Sequence, residues 1–194
     1  MAPYNSTQTR FDEILGQIKK SGLGFLLSIT CNISYTQANE FLDNGLILKD
    51  LNEEEFMTNV VGEDITVDTT SIKKVFRLPE GEDKAISDKL PTHYGYLASI
   101  VQKCLLCKTT SADQISRLNL KIVATIIVEA KIDWAYVVLN LWRDYIAEAK
   151  SNPQKKSYIR LVAYYLKKMG KLHGDTWIES PPPHQVHIPQ TFEV

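Results

Sequence analysis

Cys104-x-x-Cys107 and His184-x-x-His187 are the side chains here whose types suit a tetrahedral zinc ion, which takes thiolates and imidazoles. Their spacing argues against such a site. The cysteines lie three apart in an apolar run that reads as a helix, where small apolar side chains pack well, and the histidines follow 77 residues later in a Pro-rich stretch. A redox pair would stand at a helix start following a strand, whereas these fall at a helix end. Asp64, Asp68 and Asp133 suggest the carboxylates of a transposase-like nuclease, but that chemistry needs acids presented by a multistranded sheet around two metals. The chain offers one short hairpin, and loop acids and helix caps account for all three. There is no G-x-S-x-G turn, no phosphate-cradling Gly-rich loop and no HExxH, and His93, His173, His184 and His187 avoid the apolar runs. The expectation is a non-enzymatic chain with no catalytic residue, metal, cofactor or small-molecule substrate.

Charge is more informative than nucleophiles. The net value of −1 conceals two segments of opposite sign. From Asn39 to Leu90 thirteen acids face six bases, a net of −7, whereas Lys150 to Leu172 holds seven bases and no acid. The basic segment interleaves Tyr158, Tyr164 and Tyr165 with its cations, a pattern suited to phosphate contact with base stacking. Tyr158 and Tyr165 fall on an apolar stripe, leaving Tyr164. Lys156, Arg160, Lys167 and Lys171 are therefore the candidate contacts to nucleic acid or another anionic partner. Opposite poles can also dock copies head to tail, face each other within the fold, or remain solvated. Trp134, Tyr136, Trp142 and Tyr145 read as core and rim aromatics.

The elements that position these residues follow from apolar spacing. Phe11, Ile14, Leu15 and Ile18 lay one stripe on a helix over Thr9–Lys20, stopped by Gly22 and Gly24. A second helix starts near Ser34 and leaves through Asn44-Gly45 in a left-handed conformation. Phe56–Val61 and Ile65–Val67 flank Gly62-Glu63-Asp64 as two short strands around a tight turn. Asp68, Thr69, Thr70 or Ser71 then caps a helix over Ile72–Leu78 that Pro79 ends. The charged stretch Glu80–Pro91 has no period and reads as a surface loop. Helices over His93–Cys107, Gln114–Ala130 and Asp133–Lys150 follow, the last two forming a central antiparallel helical hairpin. A final helix, Lys155–Met169, has Gly170 beyond it.

The fold class is thus mostly α with minor β: a multi-helix domain with one short β-hairpin and an extended Pro-rich C-terminal tail. The organisation is a flexible N-terminus over 1–8, a single domain over 9–172 whose helical core occupies 93–169, and the tail over 173–194. Ile122, Ile126, Val137, Val138, Leu141 and Leu161 are the expected buried core. A chain of 194 residues, 44% hydrophobic and 23% charged, buries such a core without staples. Three cysteines indicate reduced intracellular chemistry, and no signal peptide or membrane helix stands out, leaving cytoplasm or nucleus.

Several segments taken in order resemble the plant transposon protein domain of retroelement- and transposon-derived open reading frames. These are the opening helix with Gly24-Phe25, Ala38-Asn39-Glu40-Phe41-Leu42, Val61 to Val67 leading to Ile72 and Phe76-Arg77-Leu78-Pro79, Leu105 to Asp113, and Ile132-Asp133-Trp134-Ala135. The chain departs from that pattern at Leu42, where a tyrosine is usual, and at Val61, where an arginine is usual. The resemblance implies a structural or protein-interaction module that associates with a protein partner or with itself, with nucleic-acid binding as the alternative. It carries over no site residue.

Overall fold

The computed structural model describes residues 4–27, 31–33, 35–47, 54–86, 95–106, 116–149, 158–172 and 178–180. Its elements are α1 (Tyr4–Lys20), β1 (Cys31–Ile33), α2 (Tyr35–Asp43), β2 (Glu55–Val60), β3 (Glu63–Asp68), α3 (Thr69–Phe76), α4 (Gly95–Ile100), α5 (Arg117–Ile127), α6 (Trp134–Ala149), α7 (Ile159–Lys168) and β4 (Ile178–Ser180). A 3-10 turn at Leu23–Leu27 follows α1, and a π-helical segment at Val101–Leu105 continues α4. The protein is mostly α with a minor β component.

Local chemistry explains most boundaries and several departures from expectation. The first helix begins at Tyr4, five residues before the expected start at Thr9. Nothing in Asn5 to Gln8 breaks a helix, and turns add to an existing stripe at little cost. Asp68 is the residue that caps α3: its carboxylate accepts from Ser71 N at 2.6 Å, while Ser71 Oγ accepts from Asp68 N at 3.2 Å. The cap starts α3 at Thr69, and Arg77, left-handed at φ 54°, closes it two residues before Pro79. Ser116 caps α5 by accepting from Asn119 N. The last helix starts at Ile159 because Tyr158 turns left-handed, φ 67°, and buries its ring edge-on against Tyr145. Packing has overridden helix propensity there.

Gly45 has a different job from the one its sequence context suggests. It is buried and does not take positive φ; a Cβ placed on it would collide with the side chain of Ile146, so the glycine lets α6 approach the exit of α2. The hairpin turn sits at Val61-Gly62, φ 51° and 81°, one step before the expected position, with Glu55–Val60 paired antiparallel to Glu63–Asp68. Phe56, Thr58, Val60, Ile65 and Val67 point inward, and Leu46 adds a single bridge to Met57 on the other edge of β2.

All six expected core residues are buried, and the centre is aromatic. Trp142 lies 5.5 Å from both Phe41 and Tyr165 in edge contacts, with Phe76 at 6.3 Å and Phe56 behind Phe41 at 5.7 Å. Helices α2, α3, α6 and α7 meet around this cluster. Helix α5 packs on α4 and the π-helical segment, while α6, which follows it in the chain, packs on α2 and α3. Trp134 donates through Nε1 to Ser21 O, fastening the end of α1 to the start of α6.

The surface loop after α3 and part of the stretch read as tail both pair with the rest of the domain. The segment after Pro79 docks on the link between α5 and α6: Glu82 N and Asp83 N donate to Lys131 O, and Asp133 N donates to Asp83 O. Further on, Ile178–Ser180 pairs antiparallel with Cys31–Ile33, so part of the stretch read as tail contributes a strand. Residues 181–194 lie outside the described residues.

Burial holds the Tyr165 hydroxyl neutral, pushing its pKa up to about 12, against a lowering by its hydrogen bond to Ser71 Oγ at 2.9 Å. The unfolded chain ionises this tyrosine near 10, so the folded state holds the extra proton between the two values. Stability from this group is complete below pH 10 and is lost as pH rises toward 12, by about 3 kcal/mol at most. Urea titrations at pH 9 to 12 should show Tyr165→Phe falling less steeply than the parent. Parallel curves would refute the assignment.

Candidate functional site

The acids that invited a nuclease reading each have a structural task. Asp68 caps α3. Asp133 Oδ1 accepts from the amides of Ala135 and Tyr136, and its Oδ2 lies 3.2 Å from Lys73 Nζ. Lys73 also reaches Glu80 Oε2 at 2.9 Å; Glu80 first, then Asp133, hold its ammonium pKa above the usual lysine value against a lowering by desolvation. Asp64 accepts from Asn59 Nδ2 at 2.8 Å. Among the described residues no three His, Cys, Asp or Glu side chains gather as ligands for a metal ion. Cys107 and the four histidines lie outside the described residues, as does the side chain of Cys104.

The remaining candidate is the outer face of α7. At 100° per residue, Arg160, Tyr164, Lys167 and Lys168 fall away from buried Val162, Tyr165 and Leu166, and Lys171 lies beyond the end of the helix. Lys167 is exposed, as the sequence suggests, and Arg160 is half-buried. Lys156 lies outside the described residues. Lys171 is held rather than free: its Nζ is 2.8 Å from Glu63 Oε2 at the start of β3. The geometry is set by the helix end, where left-handed Gly170 donates to Lys167 O and Lys171 N donates to Leu166 O. These two bonds form a Schellman close that turns Lys171 toward the hairpin. The sequence signal was Gly170 itself, but the pairing of Lys171 with Glu63, 108 residues away, was not visible.

Tyr164 is likewise occupied. Its ring stacks on Phe76, centroids 5.7 Å apart and planes 17° apart, and Lys168 Nζ lies 5.4 Å from its centroid. Tyr158 and Tyr165 are buried. The Phe76–Tyr164 stack also brings the end of α3, where Lys74 and Arg77 are exposed, beside α7. Lys74, Arg77, Lys167 and Lys168 form no ion pair among the described residues.

The end of α2 and the hairpin carry an acidic surface of their own. The α2 end and the hairpin are joined by Asn44 Nδ2 donating to Asn59 O and Val61 N donating to Glu40 Oε2, with Asp43 and Asp64 exposed. Residues 54–68 contain five acids and no base. Among the described residues no helix is long and apolar enough to cross a membrane. No family model, curated protein or solved structure matches the chain.

Proposed function

We propose that the chain is a non-enzymatic structural or protein-interaction module of the retroelement-derived kind its segments resemble, acting inside the cell through its charged surface. The observation that supports a protein partner over nucleic acid is the state of Tyr164. A single-strand binding face couples cations with aromatic surface on which bases stack, and here the face offers charge while its half-buried tyrosine is engaged by Phe76 and Lys168. Exposed side chains such as Lys167 keep nucleic acid as a second reading, with Arg160 and Lys171 as contributors.

Light scattering on a sizing column, at 50 mM and 500 mM salt and with and without single-stranded RNA, separates the two. Association of the protein alone, weakened by salt, is the expected result. A monomer under every condition refutes association, whereas RNA retention with a steep salt dependence selects the second reading.

A further inference from the structure

The hairpin has one closed edge and one open edge. Met57 bonds to Leu46 through both its amide and its carbonyl, and Asn59 O accepts from Asn44 Nδ2, so both residues turn these backbone groups away from β3. In an antiparallel ladder the residue directly opposite such a position turns its own groups away in the same manner. Thr66 pairs with Met57 and Asp64 with Asn59, so the N–H and C=O groups of Thr66 and Asp64 point outward along the far side of β3. Asp68, next in that alternation, has its amide taken by Ser71 Oγ as α3 begins. Among the described residues no hydrogen bond reaches the outward backbone groups of Asp64 or Thr66, and both residues are exposed.

Side chains give that edge a pattern. Phe56, Thr58, Val60, Ile65 and Val67 face the core, so the opposite face carries Glu55, Met57 and Asn59 from β2 and Asp64, Thr66 and Asp68 from β3. Leu46, across its bridge from Met57, shares this face and is 51% exposed. A row of Leu46, Met57 and Thr66 therefore crosses to the open edge, with Asp64 on one side of it and Glu55 and Asp68 on the other.

An open edge is a template for another strand, and these acids determine which strand it accepts. A second copy of β3, paired antiparallel about Thr66, would set Asp64 opposite Asp68 twice, and like charges directly opposite are destabilising. A strand with cations two residues to either side of an apolar residue meets the same acids with opposite charge and lengthens the Leu46, Met57 and Thr66 row by one side chain.

Resting on the reading of the chain as a protein-interaction module, we propose that the outer edge of β3 receives an added strand from a protein of different sequence, an extended segment whose alternate residues are basic, apolar and basic. The backbone groups of Asp64 and Thr66 bind it, and Asp64 and Asp68 select its charge.

A synthetic peptide, Thr-Lys-Thr-Val-Thr-Lys-Thr, tests this on the full chain with amide exchange as the readout. Without peptide the amides of Asp64 and Thr66 should exchange freely, whereas that of Ile65, turned toward Thr58 in the ladder, is protected; saturating peptide should slow the first two about tenfold. N-methylation at one set of alternate peptide residues should abolish binding and at the other set should leave it, on an unaltered protein. Asp64→Lys, its fold checked by circular dichroism, should weaken the lysine peptide about tenfold and favour a peptide with glutamates in place of the lysines. Equal sensitivity to both methylated sets, or binding that leaves Asp64 and Thr66 unprotected, overturns strand addition. Protection that grows with protein concentration alone assigns the edge to a second copy and overturns the cationic partner. If no peptide binds while the chain still associates on the sizing column, the edge assignment falls and the interaction module stands; a chain that does neither loses both.

Discussion

Trp142→Ala should cost about 3–5 kcal/mol, the usual range for removing a fully buried tryptophan. That is a large share of the roughly 5–15 kcal/mol by which domains are stable, so the variant should be partly unfolded near body temperature. Trp142 has no exposed surface and touches Phe41, Phe76 and Tyr165, rings contributed by three other helices. No single side chain can relax into the space without uncoupling two of those helices. The phenylalanine variants sharpen the test. Among the described residues Trp142 Nε1 has no hydrogen-bond partner, so Trp142→Phe loses only volume and should cost about 1 kcal/mol. Trp134→Phe deletes the bond to Ser21 O in a buried setting and should cost about 2–3 kcal/mol. Urea unfolding of the three variants measures the order; a Trp142→Phe variant weaker than Trp134→Phe would contradict it.

Gly81→Ala should cost about 3 kcal/mol although it adds a single methyl group. A Cβ at this position would occupy the same space as the backbone of Ile132 and Asp133. That backbone cannot retreat, because Lys131 O accepts from Glu82 N and Asp83 N while Asp133 N donates to Asp83 O. Relief requires either the docked segment to lift or the start of α6 to move, and the second would disturb the Asp133 cap and its contact with Lys73. Gly62→Ala provides the control: open space surrounds Gly62, and only its φ of 81° penalises a side chain, by about 1 kcal/mol. Hydrogen exchange should place the Gly81→Ala damage at the amide of Asp133. Equal losses for the two glycine variants would refute the close-approach argument.

What could be read from the residues was mainly what is local. Apolar periodicity located the helices and hairpin, Asp133 was legible as a cap because a cap needs only its next three residues, and Asp68 was one of four adjacent candidates for the cap of α3. The Gly62 turn was legible to within one position; its left-handed valine was not, since no local rule places a β-branched residue there. Gly45 was misjudged for the complementary reason: its context of Asn44 suggests a left-handed exit, whereas the actual constraint comes from Ile146, far along the chain. Gly81 escaped notice inside a charged stretch without period, where sequence offers no sign of a docking backbone. In the candidate site, the cations of α7 were visible as a face, but their cancellation at Lys171 depends on which elements are neighbours, and charge counts along the chain cannot supply that.

The pairing of β1 with β4 has a kinetic consequence. It joins Asn32 to Glu179, 147 positions apart, so it closes almost the full span of the domain and gains nothing until the intervening helices are in place. During synthesis the early strand emerges long before its mate. Its edge stays open through that interval, and a neighbouring nascent chain offering the same late strand could fill it first, exchanging strands between molecules.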